Sequence, residues 1–163
     1  MTPSGAELAL AAAWWLAALL IVAGVSKSLR PTETRTSFES LGLRSASRLA
    51  VAVPITELVV AAALVVWPPL GGSAAVVLLV AFTVVLVRVV RAGSGASCAC
   101  FGALGTAPVG WAEVVRNVGL CVLAVLAIGA TRARPEPEAL LVVGMALFAG
   151  SVGLRAGRRL SAG

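Results

Sequence analysis

The chain has no histidine, no tyrosine and no aspartate. Without histidine there is no imidazole-ligated haem, no His-based zinc site and no Ser-His-Asp triad. Without aspartate there is no Asp-rich magnesium site. Charge is scarce too: 12% of residues are charged, against about a quarter in a typical soluble domain, which excludes an ordinary globular enzyme. The formal charge of +6 is small for a nucleic-acid binder. The arginines flank apolar runs instead of forming a stripe, so they read as membrane-topology signals. Lysine and isoleucine are few beside arginine and alanine, a bias that points to a GC-rich bacterial genome. Cysteine occurs three times, at Cys98, Cys100 and Cys121.

What is abundant is hydrophobic: 60% of the residues, with a mean hydropathy of +1.02. The composition and length predict one integral membrane domain over 1–163, an all-α polytopic helix bundle. A bilayer core needs roughly 20 helical residues to cross. Spans are predicted at about 6–26, 49–67, 73–90 and 111–130, with a fifth, shorter C-terminal helix at 139–154. The first run has no basic n-region and is long enough to span, so it reads as a helix and not as a cleaved signal. Trp14 and Trp15 lie mid-run and are expected to pack. Trp111 is expected to anchor at the interface. Pro31, Thr32 and Glu33 open a short interfacial helix, with Phe38 and Leu41 on one face and Gly42 ending it. Pro54 lies inside the second span, where its missing donor favours a kink. Pro68-Pro69-Leu70-Gly71-Gly72 reads as a tight, uncharged turn. A Gly/Ser-rich loop, 92–110, carries Cys98-Ala99-Cys100-Phe101-Gly102.

Alternation of the spans puts the first loop, the cysteine loop and the C-terminus on one side. Lys27, Glu57, Arg116 and Asn117 all fall toward that end. Ionisable residues within spans are rare and usually face the bundle interior. Nearby cations lower a thiol pKa and favour the thiolate. A Cys-x-Cys disulfide closes a ring tighter than the preferred geometry, and strained, exposed disulfides tend to be oxidising and catalytic. The catalytic candidates are therefore Cys98, Cys100, Lys27, Glu57 and Arg116. Phe101 and Asn117 are placed near a membrane quinone, by analogy with other four-helix thiol oxidases. No metal site is expected, since two thiolates are too few for a closed one. Each residue also has a plainer reading. The cysteines serve as inert small residues, Cys121 as a small hydrophobe in the core, Lys27 as a snorkelling anchor, Arg116 with Glu113 as an interfacial pair, and Asn117 as interhelical glue.

Gly24-Val25-Ser26-Lys27, Pro54-x-x-Glu57, Cys98-x-Cys100-Phe101-Gly102 and Trp111 with Arg116-Asn117, in that order, resemble the methylamine utilisation MauE family of the wider DoxX-like group. The likeness runs over about Ala6 to Ala130. Its most specific part is the Cys-x-Cys-Phe-Gly element. Ser28 departs from it, since an apolar residue is expected after the lysine. The resemblance implies a role in disulfide formation or maturation of exported proteins, often beside a thioredoxin-like partner. The family is associated with maturing the disulfide-rich small subunit of methylamine dehydrogenase. Three functions follow as expectations: a thiol–disulfide oxidoreductase of the bacterial plasma membrane, a non-catalytic membrane anchor or chaperone for a thioredoxin-like protein, or a small transporter. The positive-inside rule turns the cysteine loop toward the cytoplasm, whereas disulfides persist on the exterior face, so orientation stays open at this point.

Overall fold

The computed structural model of the protein describes residues 4–93, 110–130 and 141. Five α-helices and no strand occur among them: α1 Gly5–Leu29, α2 Pro31–Ser40, α3 Ala46–Val66, α4 Pro68–Ala92 and α5 Trp111–Ile128. Four of these, all but α2, are long and apolar enough to cross a membrane. The two longest have 25 residues, or about 37 Å at 1.5 Å per residue. The expected all-α, multi-pass bundle is therefore the observed architecture. The fifth apolar run, 139–154, apart from Leu141, and the cysteines of the 92–110 loop lie outside the described residues.

Local sequence explains where each helix begins and ends. Ser4 and Glu7 cap α1 reciprocally: the Ser4 backbone N–H donates to the Glu7 carboxylate at 2.6 Å, and the Glu7 N–H to Ser4 Oγ at 3.4 Å. That capping box satisfies two otherwise orphaned donors. Pro31 starts α2, as expected. Thr34 ties α2 back onto α1, its hydroxyl donating to the carbonyls of Arg30 at 3.0 Å and Lys27 at 3.4 Å. Phe38 is buried with Ala46 and Ala50 of α3, flanked by Leu41 and Leu43. The short helix is thus pinned to the bundle by one apolar stripe. Gly42 follows it at φ +71, a conformation that glycine adopts without steric cost.

One expectation is overturned between α3 and α4. Pro68-Pro69-Leu70-Gly71-Gly72 is no turn; it is the first turn of α4, and Trp67 alone separates the two helices. Proline fits the first helical positions because its fixed φ suits a helix and its missing N–H would be unpaired there anyway. The glycines serve the close approach that so short a connection demands. A Cβ at Gly71 would collide with the Leu64 backbone, and one at Gly72 would lie 2.8 Å from the Ala124 carbonyl oxygen of α5. The third span therefore starts five residues before the expected Ser73, and the second starts at Ala46, three before the expected Leu49. α3 runs through Pro54 as one helix.

The helices pack through small residues. Leu16, Leu64 and Leu79 fill the centre among Ala13, Ala61, Ala75 and Ala124. Small side chains let membrane helices approach closely where no hydrophobic drive separates lipid from protein. Outward faces are aliphatic, with Val22, Val59, Val77 and Val125 exposed, as a lipid-facing surface requires. Trp15 packs beside Ala11 and Leu123, as expected. Trp14 does not; it is exposed mid-span among the outward residues. Trp111 is exposed at the start of α5, where an interfacial anchor belongs.

Candidate functional site

The polar centre begins with two helix crossings. Gly24 lets α1 lie against α3, since a Cβ there would sit 3.0 Å from Leu58 Cγ and 3.1 Å from the Pro54 carbonyl oxygen. One turn further on in each helix, Lys27 meets Glu57. The ammonium Nζ donates to both carboxylate oxygens, at 2.8 and 3.0 Å, and reaches the Ala23 carbonyl at 3.5 Å. Gly24-x-x-Lys27 and Pro54-x-x-Glu57 are thus two halves of one contact. Glycine opens the space, and the charged residue one turn away fills it with an ion pair. Lys27 is only 3% exposed and Glu57 2%. A single charge so placed would be strongly disfavoured, and pairing with a hydrogen-bonded partner is what makes burial tolerable. The reading of Lys27 as a snorkelling anchor is therefore corrected: it points inward.

Glu57 lies eleven residues into α3, about 16 Å from its start, yet it meets a lysine two residues before the end of α1. The first turns of α3 thus extend past the end of α1. α2 and the Leu41–Leu43 turn pack on that extension.

A second crossing joins α4 to α5. The Asn117 side-chain amide donates to the Leu79 carbonyl at 2.8 Å and to Thr83 Oγ1 at 2.7 Å. The Thr83 hydroxyl in turn donates to that carbonyl at 2.8 Å. Asn117 is interhelical glue, as one expectation had it. Thr83 was not anticipated. Its signal was present, since it is the sole hydroxyl between Ser73 and Arg88 in an otherwise aliphatic run. Glu113 serves the start of α5, accepting from the Gly110 N–H at 2.9 Å.

These crossings enclose a cavity of about 250 Å³. Each wall helix gives it one stripe: Leu20, Ala23 and Lys27 from α1, Leu49, Val53 and Glu57 from α3, Leu78, Leu79, Ala81, Phe82, Val85 and Leu86 from α4, and Glu113, Arg116 and Asn117 from α5. Phe38 and Leu41 of α2 and its following turn close one side. Lys27, Glu57, Arg116 and Asn117, four of the seven candidate residues, therefore share one chamber. Cys98, Cys100 and Phe101 lie outside the described residues. In sequence they fall between Gly93, just after α4, and Gly110, three residues before the cavity-lining Glu113. Cys121 has no disulfide, is half-buried against the central core and is not one of the cavity-lining residues, in keeping with a packing role. Among the described residues no group of three or more His, Cys, Asp or Glu side chains is placed to hold a metal.

The fold and this chamber define a class: a small multi-pass membrane protein with a paired, buried polar centre near one end of its helices. Comparison with known proteins narrows it. The family described as methylamine utilisation protein MauE matches residues 5–130. The methylamine utilization protein MauE of Paracoccus denitrificans is 33% identical over 144 residues, covering 84% of this chain and 77% of that protein. The chain belongs to the MauE family. No solved structure matches it.

Proposed function

We propose that the protein is a thiol–disulfide oxidoreductase of the bacterial plasma membrane, acting in the maturation of exported, cysteine-containing proteins of methylamine utilisation. Cys98 and Cys100 are its redox pair. In the forward step a substrate thiolate attacks the Cys98–Cys100 disulfide, giving a mixed disulfide. The second substrate thiol resolves it, leaving an oxidised substrate and a reduced pair. Two electrons and two protons then reside on Cys98 and Cys100, and a membrane-soluble acceptor must remove them. A thioredoxin-like protein is the natural partner for the exchange.

The observation that carries this reading is the placement of the polar chamber. Lys27, Glu57, Arg116 and Asn117 line it, and Gly93 and Gly110, the ends of the cysteine-bearing segment, stand at the same end of the bundle. A cation close to a cysteine favours its thiolate form, and Arg116, six residues after Gly110, is the lining cation nearest in sequence to that segment. The test is a Cys98→Ser/Cys100→Ser chain in cells lacking the native protein. The expected result is loss of substrate oxidation, with Cys100→Ser alone trapping a mixed disulfide when the Cys98 thiolate attacks the disulfide of an oxidised substrate and displaces its other thiolate, a bond that Cys100 can then no longer resolve. Full substrate oxidation by the doubly substituted chain would sink the proposal and leave an anchoring role. Labelling both cysteines with an impermeant maleimide, in intact cells against lysed controls, identifies the side of the membrane on which they work.

A further inference from the structure

The chamber lies within the spans, so a small molecule that reaches it sideways comes from the lipid phase. Its lining is mostly aliphatic, with Phe82 presenting an aromatic ring and the polar groups gathered on α1, α3 and α5. Two cations, Lys27 and Arg116, stand against two carboxylates, Glu57 and Glu113, so the formal charges of the lining cancel. A balanced lining of this kind gives no net attraction to a phosphate head group or to a free ammonium. It suits a neutral head that both accepts and donates hydrogen bonds. The Lys27 ammonium is committed to Glu57 and the Ala23 carbonyl, so the donor offered to a ligand is the Arg116 guanidinium. The acceptors are the carboxylates and the Asn117 side-chain oxygen, whose amide nitrogen is already committed to Leu79 and Thr83. Pockets for drug-sized ligands run from about 300 to 1,000 Å³. A cavity of about 250 Å³ holds one substituted ring and leaves a long tail outside. Ala81 is an exposed member of the lining, so the cavity meets the lipid-facing surface of α4 there, where a tail can leave.

We propose that this chamber binds the head group of a membrane quinone. A quinone accepts hydrogen bonds through two carbonyls, and its quinol donates through two hydroxyls. Both forms are neutral, so the same lining serves each. The redox role rests on the thiol reading above: Cys98 and Cys100 lose two S–H bonds and gain an S–S bond, and the two electrons and two protons released convert the quinone to the quinol. Binding itself does not depend on that reading.

The experiment uses the full chain in nanodiscs of neutral phospholipid, titrated with a radiolabelled benzoquinone bearing a decyl tail. The expected result is saturable binding of one quinone per chain. Leu78→Trp, which fills the chamber, is expected to weaken it at least tenfold. Ala81→Trp, at the exposed rim, gives the same test should the first variant fail to fold. The Cys98→Ser/Cys100→Ser chain is expected to bind with unchanged affinity, which separates the fate of this site from that of the thiol chemistry. Absence of saturable binding would overturn the assignment. So would unchanged affinity in a folded tryptophan variant, or displacement of the label by an anionic phospholipid or an alkylammonium as readily as by unlabelled quinone.

Discussion

Replacing Lys27 with methionine removes one member of the buried pair and leaves the other in place. With the ammonium 2.8 Å from the nearer carboxylate oxygen, Coulomb attraction at an effective dielectric of 20 is about 6 kcal/mol. Burial of each ion opposes this by several kcal/mol, so the intact pair contributes little net stability. The single variant is a different matter, because Glu57, 2% exposed, then has no cation across the α1–α3 contact. Removing one partner of a buried pair costs about 3–5 kcal/mol, or roughly a hundredfold to a few thousandfold in the folding equilibrium. Glu57→Met should cost a similar amount. The double variant Lys27→Met/Glu57→Met should recover most of the loss, because an apolar pair of similar volume replaces both charges. The assay is equilibrium unfolding of the full chain in mixed detergent micelles, read by helicity, across this four-member cycle. A double variant as unstable as the sum of the two singles would refute the reasoning, since it would mean that the side chains act separately. A fully stable Lys27→Met would do the same.

The glycines at the crossings should rank by what a new methyl group meets. Gly71→Ala, facing the Leu64 backbone, should cost about 1–3 kcal/mol as overpacking; Gly24→Ala, facing the movable Leu58 side chain, should cost less, and Gly24→Leu more than either, all measured in the same unfolding assay. Asn117→Leu should lose roughly 0.6–1.7 kcal/mol per interhelical hydrogen bond, and Thr83→Val should lose part of that, with Asn117→Leu/Thr83→Val costing less than the two summed. Trp111→Ala, which removes an exposed ring at the start of α5, should leave stability within about 0.5 kcal/mol while shifting the depth of α5, measured by brominated-lipid quenching of a reporter tryptophan introduced as Val122→Trp on the exposed face of α5.

The four spans were legible because twenty-residue apolar runs have few other uses, and α2 because Pro31, Glu33 and Gly42 mark its start and stop. The inward turn of Glu57 was legible from cost alone, since an acid at that depth needs a partner. That Lys27 is the partner was only suggested by order along the chain; the pairing depends on how far α3 extends past α1, which periodicity does not encode. The Pro68–Gly72 stretch misled for a physical reason. Proline and glycine signal a turn in water and also suit a helix start and a close crossing in a bundle, and composition cannot separate the two uses. Thr83 was overlooked because a lone hydroxyl is cheap to hide by bonding its own helix. It became informative only once Asn117 was seen beside it.

The single residue between α3 and α4 also bears on how the protein is made. With only Trp67 at the bend, neither helix can settle across the bilayer while the other waits outside on a flexible tether. The pair enters as one hairpin, and its closed tip, Trp67-Pro68-Pro69, carries no ionised group to cross. Arg44 before α3, Arg48 in its first turn, and Arg88 and Arg91 at the end of α4, all exposed, sit at the open end. These four guanidinium groups resist translocation together, so swapping them for neutral residues is the change that would let the hairpin insert upside down.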